Sequence, residues 1–205
     1  MIIYLDGLER SGNVYLAYAL GYCFGKEIRS TRSHSVETLK NHRISDPFIV
    51  PVRDAVDSIA SAKVFRDYIF ENQITEDAYK MNSELDKIIS RYQEYIKYLV
   101  DNPQFFIAPF HEFIKDHNAV VDKIIKFYPD HEFLKNKKIT TKEEIFLQIE
   151  SKIFNNAYHP QLGNFPREDN EKKHQIKSLL LTKYNTEIES IQKKISILYQ
   201  RYYDI

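Results

Sequence analysis

Gly7 and Gly12 lie five residues apart in the run L-D-G-L-E-R-S-G-N-V-Y, after a short apolar stretch and before a helical pattern. A strand, a G-x-x-x-x-G turn and a helix aim several backbone N–H groups at one point, and the helix dipole adds about half a positive charge there. The natural occupant is an anion. Glycines at this spacing also serve a tight strand-to-helix turn for backbone reasons alone, so both readings stand for the motif by itself. A nucleoside-triphosphate loop would continue with Lys and then Ser or Thr, whose hydroxyl holds magnesium. Here those positions are Asn13 and Val14, and Val14 has nothing to offer a metal. Arg10, inside the loop, carries a guanidinium able to fold over a terminal anionic group. The loop reads as built for a phosphate-like group handled without a metal.

A second anion site is written in F-I-V-P-V-R-D-A-V-D-S-I-A-S-A-K-V-F, where Arg53 follows a buried strand directly and Ser61 comes eight residues later. Arginine offers phosphate a rigid fork of donors. The plainer alternative pairs Arg53 with Asp54 or Asp57 and leaves Ser61 as an ordinary small helix residue. Between the two motifs, T-R-S-H-S-V-E-T-L carries His34, and an imidazole with an unperturbed pKa of ~6.5 suits a general base. A surface role is the default for any one of the seven histidines.

In this order the motifs resemble those of the PAPS-dependent sulfotransferases. L-E-R-S-G-N-V-Y-L is similar to that family's 5′-phosphosulfate loop, P-K-S-G-T-T-W or R-S-G-T-T. The resemblance puts Arg10 on the catalytic Lys or Arg position and Ser11, Gly12, Asn13 and Val14 on the residues that wrap the phosphosulfate. Glu9 for Pro and Val14 for Thr are departures, the second removing a hydroxyl from the site. Against the family's V-R-N-P-R-D-x-x-x-S, Arg53 and Ser61 take the places that grip the 3′-phosphate. Against K-T-H-L-P, His34 takes the place of the base that removes the acceptor's hydroxyl proton. I-A-P-F-H-E-F-I-K-D resembles V-x-Y-E-D-L-x-x-D and sets Phe110 on a Tyr that stacks near the adenine. L-G-N-F-P-R-E-D stands loosely for the R-K-G loop over the 3′-phosphate, with Gly163 and Arg167. The resemblance covers residues 2 to about 128. It implies PAPS as co-substrate, PAP as product, no metal, and transfer of a sulfuryl group to a hydroxyl or amine acceptor that the sequence does not identify. Tyr68, Phe70, Tyr79 and Tyr92 keep phenol, lipid and glycan acceptors open.

The elements that must hold these residues follow from periodicity. Continuous apolar runs at 2–5, 48–52 and 105–108, with a weaker one at 28–31, read as buried strands. Helical patterns fall between them at 13–24, 54–70, 84–100 and 117–128. This alternation predicts an α/β fold, three-layer α/β/α with a mostly parallel central sheet, and the resemblance implies that it is of the P-loop sulfotransferase type. After residue 130 the strands stop, and helices at 141–154, 169–183 and 185–203 make a helical C-terminal third. The stripe Ile188, Ile191, Ile195, Leu198 and Tyr202 in the last helix packs on its own domain or on a coiled-coil partner.

At 205 residues the chain is expected to be one domain. Its 29 basic and 29 acidic residues balance, giving no global field for a nucleic acid or an anionic membrane. The single Cys23 excludes an internal disulfide and a cysteine-based zinc cluster, and in an apolar helical pattern it reads as a buried, inert thiol. No run of transmembrane length and no leader pattern is seen, so a cytoplasmic setting is expected; a homodimer is left open. Two further classes compete with the sulfotransferase reading. One is a P-loop nucleotide or small-molecule kinase with an altered loop. The other is a non-catalytic, nucleotide-binding relic of the fold.

Overall fold

The computed structural model describes residues 2–9, 11–25, 28–30, 34–42, 46–71, 84–132, 136–155 and 171–205. Four strands form one sheet: β1 (Ile3–Leu5), β2 (Ile28–Ser30), β3 (Phe48–Val52) and β4 (Phe106–Pro109), in the order β2-β1-β3-β4. Every pairing is parallel: Ile3 opposite Ile28, Leu5 opposite Ile49, and Ile49 opposite Phe106. The described helices are α1 (Asn13–Phe24), α2 (Val36–Lys40), α3 (Ala55–Glu71), α4 (Leu85–Asp101), α5 (Phe110–Lys115), α6 (His117–Phe127), α7 (Lys142–Asn155), α8 (Glu171–Lys183) and α9 (Asn185–Tyr203). None of these is long and apolar enough to cross a membrane.

A strand covered on both faces must be apolar at every position, which is why β3 reads F-I-V-P-V without alternation and is buried throughout. Its side chains still alternate between two cores. Phe48, Val50 and Val52 face a core built with α3, α4, α8 and α9, whereas Ile49 joins Ile3, Leu5 and Phe106 against α1, α6 and α7. Helices therefore cover both faces of a parallel sheet, as the sequence predicts. The stripe of α9 is buried within the same domain, with Ile191 and Leu198 fully covered, so it has no apolar seam left for a coiled coil. Two short helices, α2 and α5, are additions that periodicity does not announce.

The chain leaves β1 toward β2 on one side and then places β3 on the other. The carboxyl ends of β1 and β3 thus flank a topological switch point, where open parallel sheets form their ligand crevice. Pro51 widens it. A residue's C=O and N side face the same neighbour, and the Pro51 carbonyl lies against Gly7. The missing N–H is therefore on the β1 side, and the β1 ladder has ended at Ile49.

Away from this crevice, Cys23 is fully buried, near the Thr140 hydroxyl at 3.4 Å, and burial pushes its thiol pKa up. His117 is buried beside it. Its Nε2 lies 2.8 Å from the Thr140 hydroxyl and its Nδ1 lies 3.3 Å from the Tyr15 hydroxyl. Burial lowers the His117 pKa below that of a free imidazole. The unfolded chain therefore takes up a proton near pH ~6.5 that the folded chain refuses. The His117 contribution is complete above that pH and is lost as pH falls below it; His42, also lowered by burial, adds to the same slope. Urea unfolding at pH 7.5 and pH 5.5 is expected to show a loss of stability at the lower pH. His117→Gln is expected to flatten that dependence, and an unchanged slope would reject the assignment.

Candidate functional site

The loop between β1 and α1 is held from inside. Asn13, where a nucleoside-triphosphate loop has Lys, turns its amide back and donates to the carbonyls of Gly7 at 3.0 Å and Leu8 at 3.1 Å. Its own Oδ1 is buried without a hydrogen-bond partner, facing Gly7. The Ser11 N–H closes the turn onto the Leu8 carbonyl at 3.2 Å. Gly7 is required by close approach: a methyl group there would lie 2.5 Å from the Pro51 carbonyl oxygen. Gly12 is required twice, by φ +88° and because a methyl group would meet the Phe113 ring at 2.6 Å.

Glu9 gives the loop a third brace. Its carboxylate accepts from Arg66 Nε at 2.7 Å and Nη2 at 2.5 Å, and from Arg91 Nη1 at 3.3 Å. Glu9 and Arg66 are both buried. The buried Tyr92 hydroxyl donates to the Glu9 carbonyl at 2.7 Å, and desolvation raises that phenol's pKa. Tyr92 is thus a strut beneath the loop.

The two helix N-termini at the crevice differ. In α3, Asp54 Oδ1 accepts from the N–H groups of Val56 and Asp57, and Gln192 Oε1 accepts from Ala55. Those donors are occupied, so an anion at this end must be gripped by side chains. In α1, Gly12 supplies no capping side chain and the first turn contains no acid. The first-turn N–H groups that a helix cannot use internally therefore stay directed at the loop.

Arg53 leaves the end of β3 and reaches across to Phe110, its guanidinium carbon 4.5 Å from the ring centroid. Phe110 also packs on Gly12, so the structure gathers Gly12, Arg53 and Phe110 at one place. Arg53 Nη2 donates to Asp57 at 3.4 Å, the pairing that the plainer sequence reading gave. Burial works against Asp57 ionising, but its hydrogen bond from Lys177 and the charge of Arg53 prevail and hold its carboxyl below the usual range. Lys177 brings α8 to this position.

A cleft of about 210 Å³, counting space open to solvent, joins the loop to β3. Leu8 and Ser11 line it from the loop, Pro51, Val52 and Arg53 from β3, Ser58 from α3, and Tyr92, Tyr95 and Ile96 from α4. Ser58, buried and within 3.3 Å of the Tyr92 hydroxyl, is the serine that shares this wall with Arg53. Ser61 is half-buried about one turn further along α3, and Val14 is half-buried in the first turn of α1. Of this space only about 10 Å³ admits a water-sized group, so an anionic ligand would lie over the cleft rather than inside it.

His34 enters from the segment after β2 with φ +50°, a left-handed conformation uncommon for residues other than glycine. Asp6, fully buried at the end of β1, accepts from the His34 N–H at 3.3 Å and lies 3.2 Å from Nδ1. Nδ1 also lies 2.5 Å from the Gly7 carbonyl, and Arg91 Nε donates to the His34 carbonyl at 2.9 Å. Arg10, Gly163, Arg167 and Tyr79 lie outside the described residues. Comparison with protein-family models, curated proteins and solved structures finds no match.

Proposed function

We propose that the chain is a metal-independent sulfotransferase of the P-loop type, moving the sulfuryl group of PAPS to a hydroxyl or amine acceptor and releasing PAP. The observation that carries this reading is the cleft at the switch point, which Ser11 of the loop and Arg53 of β3 line together. The sequence motifs expect an anion at each of these two places, and PAPS carries anionic groups at two ends. The uncapped start of α1 favours negative charge at the loop, and Arg53 with Ser58 offers side-chain donors where the start of α3 is already occupied. Phosphosulfate transfer needs no magnesium ligand, in keeping with Val14. Arg10, assigned by its place in the loop, would meet the charge that grows on the departing phosphate oxygen, and His34 would take the acceptor's proton.

Phe110 carries Arg53 on its ring, so in this state it acts as a platform for the guanidinium. Adenine stacking there would require Arg53 to turn toward the 3′-phosphate. One observation favours a nucleotide-binding module without turnover: the loop is braced by its own Asn13 and Glu9 rather than left open.

Calorimetric titration with adenosine 3′,5′-bisphosphate in EDTA, beside ATP with magnesium and adenosine 5′-monophosphate, tests the reading. Binding of the bisphosphate alone is expected. Arg53→Ala should weaken it about 10–100-fold, since a charge-assisted contact contributes ~1.5–3 kcal/mol. Preference for ATP with magnesium would replace the proposal with a kinase, and no binding of any of the three would end it. Tight bisphosphate binding with no turnover on a broad acceptor panel would leave the non-catalytic module.

A further inference from the structure

The sulfotransferase motifs give Asp6 no role, yet it is fully buried at the end of the first strand and lies against His34 beside the loop. The Gly7 carbonyl 2.5 Å from Nδ1 can only accept a hydrogen bond, so Nδ1 of a neutral His34 must carry the proton. The Asp6 carboxylate, 3.2 Å from the same nitrogen, stabilises that arrangement and the positive ring that follows proton uptake. Nε2 takes part in none of these contacts and keeps its lone pair. The ring is also fixed through its backbone. Asp6 accepts from the His34 N–H, Arg91 donates to its carbonyl, and the Tyr95 hydroxyl donates to the Asp6 carbonyl at 3.2 Å. A left-handed φ at a histidine, held by contacts on both sides, is the kind of strain that positions a functional group.

We infer that Asp6 is a positioning residue that makes Nε2 of His34 the general base of this site. The assignment rests on the sulfotransferase reading for its chemistry. In the step it serves, the acceptor oxygen forms a bond to sulfur and its proton passes to Nε2. The bond from sulfur to the bridging oxygen of the 5′-phosphate breaks, and its electron pair stays on the phosphate of PAP. Asp6 keeps its negative charge throughout and touches neither substrate.

Long-range proton–nitrogen correlation spectra of the uniformly ¹⁵N-labelled protein read the tautomer directly, with His34→Asn identifying the signals. The native protein at high pH is expected to show His34 protonated at Nδ1 and bare at Nε2. Asp6→Asn puts an amide donor next to Nδ1, so a substantial Nε2–H population is expected to appear. Sulfate release from PAPS, with water as acceptor, should then fall at least tenfold while adenosine 3′,5′-bisphosphate binds within about twofold of the native affinity. An Nε2–H tautomer in the native protein would overturn the inference without any variant. An unchanged tautomer in a folded Asp6→Asn protein would also overturn it, and Asp6→Ser is the second variant should Asn not fold. Failure of the bisphosphate to bind would remove the sulfotransferase reading, while the tautomer would still decide whether Asp6 positions His34.

Discussion

Arg66→Met is expected to destabilise the fold by about 3–5 kcal/mol, the range for removing one partner of a buried ion pair. Arg66 meets Glu9 through two nitrogens, and both side chains are more than nine-tenths covered. After the substitution Glu9 keeps only the longer contact from Arg91, itself partly exposed. The carboxylate would then be buried with little compensation, in the loop expected to receive an anion. Adding Glu9→Gln should recover a large part of the loss, because a neutral amide does not leave a charge stranded. Urea unfolding of the two single variants and the double variant measures this as a coupling energy. Additive losses would mean that the pair contributes packing and no charge-specific term.

Gly12→Ala is expected to cost roughly 2–5 kcal/mol, combining a left-handed backbone penalty of ~1–2 with overpacking of ~1–3. The new methyl would stand 2.6 Å from Phe113 and 2.9 Å from Phe110, and Phe110 is the ring under Arg53. One methyl group would therefore disturb both halves of the site, and bisphosphate affinity should fall along with stability. Phe113→Leu makes room for the methyl but does not relieve φ. The double variant should thus recover the part of the overpacking that comes from Phe113, and neither the Phe110 contact nor the backbone cost, leaving a favourable coupling of about 1 kcal/mol. A Gly12→Ala protein as stable as the native one would show that the loop takes another path.

The ends of β1 and β3 were legible because buried parallel strands are written as unbroken apolar runs, whereas β4 runs one residue past its apolar run and β2 stops one short of the expected end. Residues 48–52 gave β3 to the residue, and with it the place of Arg53. Its partner Asp57 was legible too, since four residues on a helix make one turn. The Glu9 clamp was not. Arg66 and Arg91 reach Glu9 from 57 and 82 residues away, and nothing local in E-R-S-G marks an acid that will be buried. Asp6 was missed for a related reason: an acid after a strand looks like a turn residue until the histidine 28 positions later is folded onto it. The resemblance pointed to Ser61, whereas Ser58, three residues earlier on α3, is the serine that lines the cleft. The helix α5 escaped because its six residues are too few for a 3.6-residue period to emerge.

The burial of α9 also constrains how the protein is made. Ile191, Ile195 and Leu198 close the core over α4, and Arg201 donates to the carbonyls of Leu99 and Val100 at its end. On the ribosome α4 is complete about a hundred residues before those partners exist, an interval of roughly 5–20 s at ordinary elongation rates. Throughout that time α4 lacks a helix that packs against it in the finished fold. The nascent chain therefore presents a greasy helix face that chaperones can hold, and slow translation after residue 101 lengthens its exposure to aggregation.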